Sequence, residues 1–249
     1  RNKILETFGK LSEISTEDDA VFVFFAGHGY TEKTKHGELG YLIPSDGSLE
    51  QLHLNISMTT IREDVSKKIP AKHIFYVIDA CYSGLLLSRG EPKKAQRDLE
   101  YLQEMTKEDV RQVLTAGDKD QTVLDGGPKG HSVFTGRFIE ALEQATDFIT
   151  AREISQSVKE KVFSDARTRN HIQTPKDGEL FGLGDFVFVP NKGRMDNLAS
   201  SKREELRRLE KAEAEMKAQN EAVAAEDKAR QAKIDELDRQ IKDLQKKLG

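Results

Sequence analysis

The 249-residue chain has no tryptophan and a single cysteine, Cys81. One cysteine excludes an internal disulfide and any cysteine-built zinc site, and it favours a reducing compartment. No apolar run approaches the roughly 20 residues of a membrane span. No basic-then-apolar opening ending in small residues is visible; the chain begins at Arg1, which leaves a removed leader open, and the location read is cytoplasmic. Basic excess is missing as well. A formal net charge of −4 leaves nothing to neutralise phosphates, which argues against nucleic-acid binding by bulk electrostatics and against attraction to a membrane surface. His36, His53, His73, His131 and His171 are scattered without ligand spacing to a partner carboxylate, so no metal site is expected.

Glycine and proline are absent from one part of the chain only. All 18 glycines but Gly249, and all six prolines, precede Arg194. The boundary falls in Pro190-Asn191-Lys192-Gly193, a helix-stopping and turn-forming cluster, which predicts a globular domain over 1–190 and a charged helical extension over 191–249. Within the first part, Ala20–Ala26, His73–Ala80, Val110–Ala116 and Asp185–Val189 read as short strands rich in Val, Ile and Phe. The first two show little polar alternation, as central strands covered on both faces do. Helices are predicted between them: Arg1–Ile14; Met58–Lys68, capped by Ser57 and stopped by Pro70; Ser132–Ala145, with Val133, Phe134, Phe138, Ile139 and Leu142 on one face; and Thr150–Asp165. Strands alternating with helices predict an α/β fold, a three-layer α/β/α sandwich around a mostly parallel sheet. A sheet beginning in its middle further predicts at least one strand ahead of residue 1.

From Leu206 onward the apolar residues keep one heptad frame: Leu206, Leu209, Met216, Val223, Ile234, Leu237, Ile241, Leu244 and Leu248. Glu213, Asn220, Asp227 and Arg230 fall on core positions in its middle, so the last two heptads form the better seam. The frame predicts a long helix with coiled-coil pairing, within or between chains, with a single surface-lying helix as the alternative.

The chemistry-bearing residues gather at two strand ends. The first strand runs into Ala26-Gly27-His28-Gly29 and the second into Asp79-Ala80-Cys81-Tyr82-Ser83-Gly84, where parallel sheets place their sites. Alone, Cys81 reads as a small buried hydrophobe and His28 as a turn residue. Together, at adjacent strand ends, they read as a nucleophile and its base: the thiolate attacks, and the imidazole lowers the thiol pKa and protonates a leaving amine. The glycines permit close approach to a substrate backbone. The amides of Gly29 and Cys81 are the candidate oxyanion donors.

FFAGHG and DACYSG, in this order and at strand ends, resemble the histidine and nucleophile motifs of the caspase-like cysteine peptidases. Gly40–Asp46 resembles the family's loop after the histidine, and His131–Thr135 and Gly184–Phe188 resemble further family segments. The resemblance covers roughly 1–190 and implies a caspase-like fold with His28 and Cys81 as catalytic dyad. Caspases proper carry Gln two residues before the nucleophile and cut after Asp. This chain carries Asp79 there, as metacaspases and orthocaspases do, which implies cleavage after Arg or Lys; a carboxylate pairs bidentately with a guanidinium. The alternative for Asp79 is a loop carboxylate capping a backbone amide. The loop Thr115–Gln121 implies further substrate contacts at Ala116, Asp118 and Gln121, with Asp118 and Asp120 equally readable as solvated loop charges.

The chain departs from the family pattern at three places. Ala26 replaces a serine found near the pocket in some metacaspases, and Tyr82 replaces a histidine. The acidic cluster that binds calcium in many metacaspases does not map cleanly, with Asp46 present but Ser88 where another ligand belongs, which puts the calcium activation implied by the resemblance in doubt. No organic cofactor is implied. The segment Leu85–Thr106, with Arg89, Lys93, Lys94 and Arg97, is a candidate self-processing loop, or a plain solvated insertion. The function expected is a cysteine endopeptidase acting on protein or peptide substrates. The alternative is a signalling or scaffold module gated by a partner through the long helix, which is also the candidate surface for self-association.

Overall fold

The computed structural model describes residues 1–80, 99–118, 121–146, 148–190 and 192–248. Its elements in order are α1 (Asn2–Ile14), β1 (Ala20–Ala26), β2 (His28–Thr34), β3 (Gly37–Ile43), β4 (Ile56–Ser57), a π-helical turn Thr60–Val65 running into α2 (Ser66–Lys68), β5 (His73–Asp79), α3 (Leu99–Met105), β6 (Val110–Thr115), α4 (Val133–Gln144), β7 (Ile149–Thr150), α5 (Ala151–Thr168), β8 (Lys176–Gly182), β9 (Val187–Phe188) and α6 (Lys192–Leu248).

The main sheet has the order β1-β5-β6-β8. β1, β5 and β6 are parallel and β8 closes the row antiparallel. Strand alternation divides β5 between two cores. Ile74, Tyr76 and Ile78 pack with Phe8 of α1, with Ile61 and Val65 of the π-helical turn and with Ile69 directly after α2. Phe75 and Val77 pack with Val133, Phe134 and Phe138 of α4 and Ile154, Val158 and Val162 of α5. Helices thus cover both faces, the three-layer α/β/α arrangement predicted. A strand buried on both faces is why β5 shows no polar alternation.

The helices of the second face begin at hydroxyl caps. Ser132 caps α4 by accepting from the Thr135 amide. Thr150 and Glu153 form a reciprocal capping box at the start of α5, satisfying two of the orphan amides of that helix end. Opposite them, Arg111 of β6 is buried and donates to the carbonyls of Ser66, Ile69 and Lys72 at 2.9–3.0 Å, taking up the carbonyl end of the α2 turn.

Four expectations are corrected. β1, read as a central strand covered on both faces, is the edge strand of the main sheet among the described residues, and its Phe22 and Phe24 are exposed. Asp185–Val189 is not a strand of the main sheet; only Val187–Phe188 is extended, and it pairs with β7. Its apolar signal comes from Phe186 and Phe188, which join Phe22, Phe75 and Phe138 in an aromatic cluster with neighbouring ring centroids 4.9–6.5 Å apart. The fourth strand is β8 instead, whose sequence KDGELFG is too polar and glycine-rich to announce one. The stretch Gly40–Asp46, taken as a loop, starts inside β3: His28 opens a three-stranded antiparallel sheet of β2, β3 and β4.

Residues Arg1–Lys192 form one compact unit and Gly193–Gly249 a second. The second consists of the 57-residue helix α6. Its apolar positions Leu206, Leu209, Met216, Ile234, Leu237 and Ile241 are all exposed. No helix among the described residues is long and apolar enough to cross a membrane.

Candidate active site

β1 and β5 end side by side. Their parallel register pairs Ala26 with Asp79, and the Gly27 amide donates to the Asp79 carbonyl at 3.1 Å. His28 follows directly, with an exposed side chain. Gly29 lies opposite Leu42 in the β2–β3 ladder. Cys81 is two residues beyond Asp79 in the chain; it lies outside the described residues, as do Tyr82, Ser88, Asp120 and the basic side chains Arg89, Lys93, Lys94 and Arg97. Of the proposed self-processing segment, only its C-terminal part is described, and there it is α3.

Asp79 ends β5 on the side that carries Phe75 and Val77, so alternation turns it towards α4. It is 8% exposed. Its Oδ2 accepts a hydrogen bond from Ser132 Oγ at 2.5 Å and a second from Thr135 Oγ1. Ser132 Oγ in turn accepts the Thr135 amide at 2.9 Å. Three carboxylates of the described structure are buried: Asp79, Glu179 and Asp185. Arg152 pairs with Glu179 at 3.0 Å and with Asp185 at 3.5 Å; even so, burial pushes the Asp185 carboxyl above the usual carboxylate range. Asp79 differs, in that no cation among the described residues pairs with it.

The remaining predicted contacts are held from within. Ala116 is fully buried; its amide donates to the Ile78 carbonyl and its carbonyl accepts from Gln173 Nε2 at 2.8 Å, so its backbone links β5 to Gln173. Asp118 forms an ion pair with Lys176 of β8 at 2.9 Å. Gln121 turns back on its own loop, its Oε1 accepting from the amides of Asp118 at 3.0 Å and Thr174 at 2.7 Å. That ties the loop after β6 to the segment entering β8, a role the sequence did not disclose.

The residues missed by sequence reasoning are the ones that connect these pieces. Gln173, completely buried, accepts from the Leu124 amide at 3.0 Å while donating to Ala116. The Leu124 carbonyl accepts the Val133 amide at 2.8 Å. The circuit closes from Ile78 through Ala116, Gln173, Leu124 and Val133 to Ser132 and Asp79. Ser132 and Thr135 carried one signal, a hydroxyl N-cap opening an amphipathic helix; Gln173 carried none. Among the described residues, no group of three or more His, Cys, Asp or Glu could hold a metal ion.

The sheet is mostly parallel, a histidine motif ends one strand and a nucleophile motif follows the neighbouring strand, and residues 1–179 match the caspase domain of Peptidase C14. The chain belongs to the caspase-like cysteine peptidases. Among solved structures, protein GSU0716 from Geobacter sulfurreducens is similar at 15% sequence identity and a TM-score of 0.47, over 74% of this chain and 73% of that one. No curated protein matches. Within the caspase domain, His28, Asp79, Ser132 and Thr135 all fall in the matched span, and protein substrates follow from membership of a peptidase family.

Proposed function

We propose that the chain is a cysteine endopeptidase that cleaves after Arg or Lys through Cys81 and His28. The Cys81 thiolate attacks the scissile carbonyl carbon, the amides of Gly29 and Cys81 take the charge developing on its oxygen, and His28 delivers a proton to the departing amine. Water then hydrolyses the thioester, His28 accepting its proton, and the thiolate is restored. The chemistry calls for no organic cofactor; calcium activation is the alternative that assays with and without calcium separate.

The observation that carries the specificity is Asp79. A carboxylate buried to this degree is ordinarily paired with a cation, and Asp79 meets only hydroxyls among the described residues. It stands at the end of the central strand, two residues from the nucleophile, where the side chain preceding the scissile bond would supply the missing positive charge. Asp118, already paired with Lys176, is the weaker candidate for that role, and Ala116 and Gln121 shape the cleft through their internal bonds.

Hydrolysis of fluorogenic peptides ending in Arg, Lys or Asp, with and without calcium, tests the reading. Cleavage after Arg and Lys that Cys81→Ala and His28→Ala abolish, and that Asp79→Asn weakens, is the expected result. Cleavage after Asp would overturn the specificity and keep the dyad. The exposed apolar stripe of α6 favours a second reading, in which pairing of that helix with another copy or a partner gates the domain. Activity of a dilute preparation that does not change with concentration or added partner would remove it.

A further inference from the structure

We propose that Ser132 and Thr135 are positioning residues for substrate selection, holding the Asp79 carboxylate so that Oδ1 receives the substrate cation; this rests on the basic-residue reading above. The two hydroxyls reach Asp79 from the first turn of α4, and both bonds land on Oδ2. A carboxylate has room for about four hydrogen bonds over its two oxygens. Filling one oxygen from the helix side orients the group and directs its other oxygen to an incoming guanidinium or ammonium. Neutral hydroxyls do this without cancelling the charge, as a lysine in the same place would.

The surroundings keep the hydroxyl pair in place. Ser132 spends its proton on Asp79 and its lone pair on the Thr135 amide, so each bond polarises the next. The positive end of the 12-residue helix α4 faces the carboxylate. The turn of Pro128–Gly130 lies hard against the same helical turn: a Cβ at Gly136 would come within 2.6 Å of Pro128 Cδ, so glycine is what permits this approach. The Val133 amide, anchored on the Leu124 carbonyl at 2.8 Å, fixes the turn from its other side.

Thr135→Val removes the hydroxyl at nearly constant shape and leaves the Ser132 cap. The expected result is a rise in KM of about tenfold for peptides ending in Arg or Lys, in keeping with loss of a hydrogen bond to a charged group, with kcat nearly unchanged. Cleavage of a peptide with Gln at the same position stays as it was, and Thr135→Ser restores the wild-type KM. An equal loss on charged and uncharged substrates, or a loss of thermal stability alone, would show that the Thr135 hydroxyl only stabilises the fold and would overturn the inference.

A binding readout makes the test independent of turnover. An Arg-containing peptide should bind the Cys81→Ala protein about tenfold more tightly than the Cys81→Ala, Thr135→Val protein, by fluorescence anisotropy. Equal binding to the two overturns the positioning role. Binding that is indifferent to both Asp79→Asn and replacement of the peptide's Arg by Gln instead overturns the basic-residue reading on which it rests.

Discussion

Gln173 shows how much one neutral side chain organises. It is fully buried, and its amide fills a donor on Leu124 and an acceptor on Ala116. Gln173→Leu keeps the volume but strands both backbone groups away from water. At about 1–3 kcal/mol for an unsatisfied buried group, the variant is expected to lose roughly 2–4 kcal/mol of stability in urea unfolding. A loss under about 1 kcal/mol would mean that water or loop relaxation replaces the amide. None of this was legible locally, because Gln173 meets Leu124 and Ala116 across 49 and 57 residues. The same holds for Asp79, whose hydroxyl partners are 53 and 56 residues away; its charge and place beside the nucleophile motif were readable, its partners were not.

At the scale of the element, β5 is the strand on which both cores depend. Phe75 is fully buried and contacts the rings of Phe22, Phe138, Phe186 and Phe188, joining β1, α4 and the segment around β9. Phe75→Ala is expected to cost about 3–5 kcal/mol, measured as a fall in the denaturation midpoint without loss of cooperativity. A cost near that of an exposed substitution would mean the aromatic cluster closes over the gap. β5, β6, α4 and α5 were readable because each carries its own signal, a buried Val- and Ile-bearing run or an amphipathic helical face; β1 was readable from its Val and Phe content alone, since it is an edge strand with Phe22 and Phe24 exposed. β8 and β2 carry none; their Lys176–Gly182 and His28–Thr34 segments are extended because a neighbouring strand offers the ladder, as β-propensity depends on context.

Across the whole molecule the two units differ in what protects them. The inner strands β5 and β6 of the first unit are buried along their length, whereas α6 exposes its described apolar positions, Leu206 to Ile241, at 45–62%. Hydrogen exchange should therefore protect β5 and β6 amides orders of magnitude longer than those of α6 in dilute protein. Protection of the Ile234–Ile241 region that rises with concentration would report coiled-coil pairing, and its absence the single helix. The heptad frame and the shift in glycine and proline content were written in sequence order, so the helical extension was visible there. So were the alternating strands and helices, the FFAGHG and DACYSG motifs and the absence of disulfide chemistry, because each depends on residue type and short-range spacing. Tertiary structure alone decided that β8 closes the main sheet, that the aromatic pair Phe186 and Phe188 packs on a face of that sheet without being one of its strands, and that Asp79 meets hydroxyls where Asp185 meets an arginine. Those outcomes rest on contacts between residues tens of positions apart, and only the packing of the sheet against α4 and α5 brings such residues together.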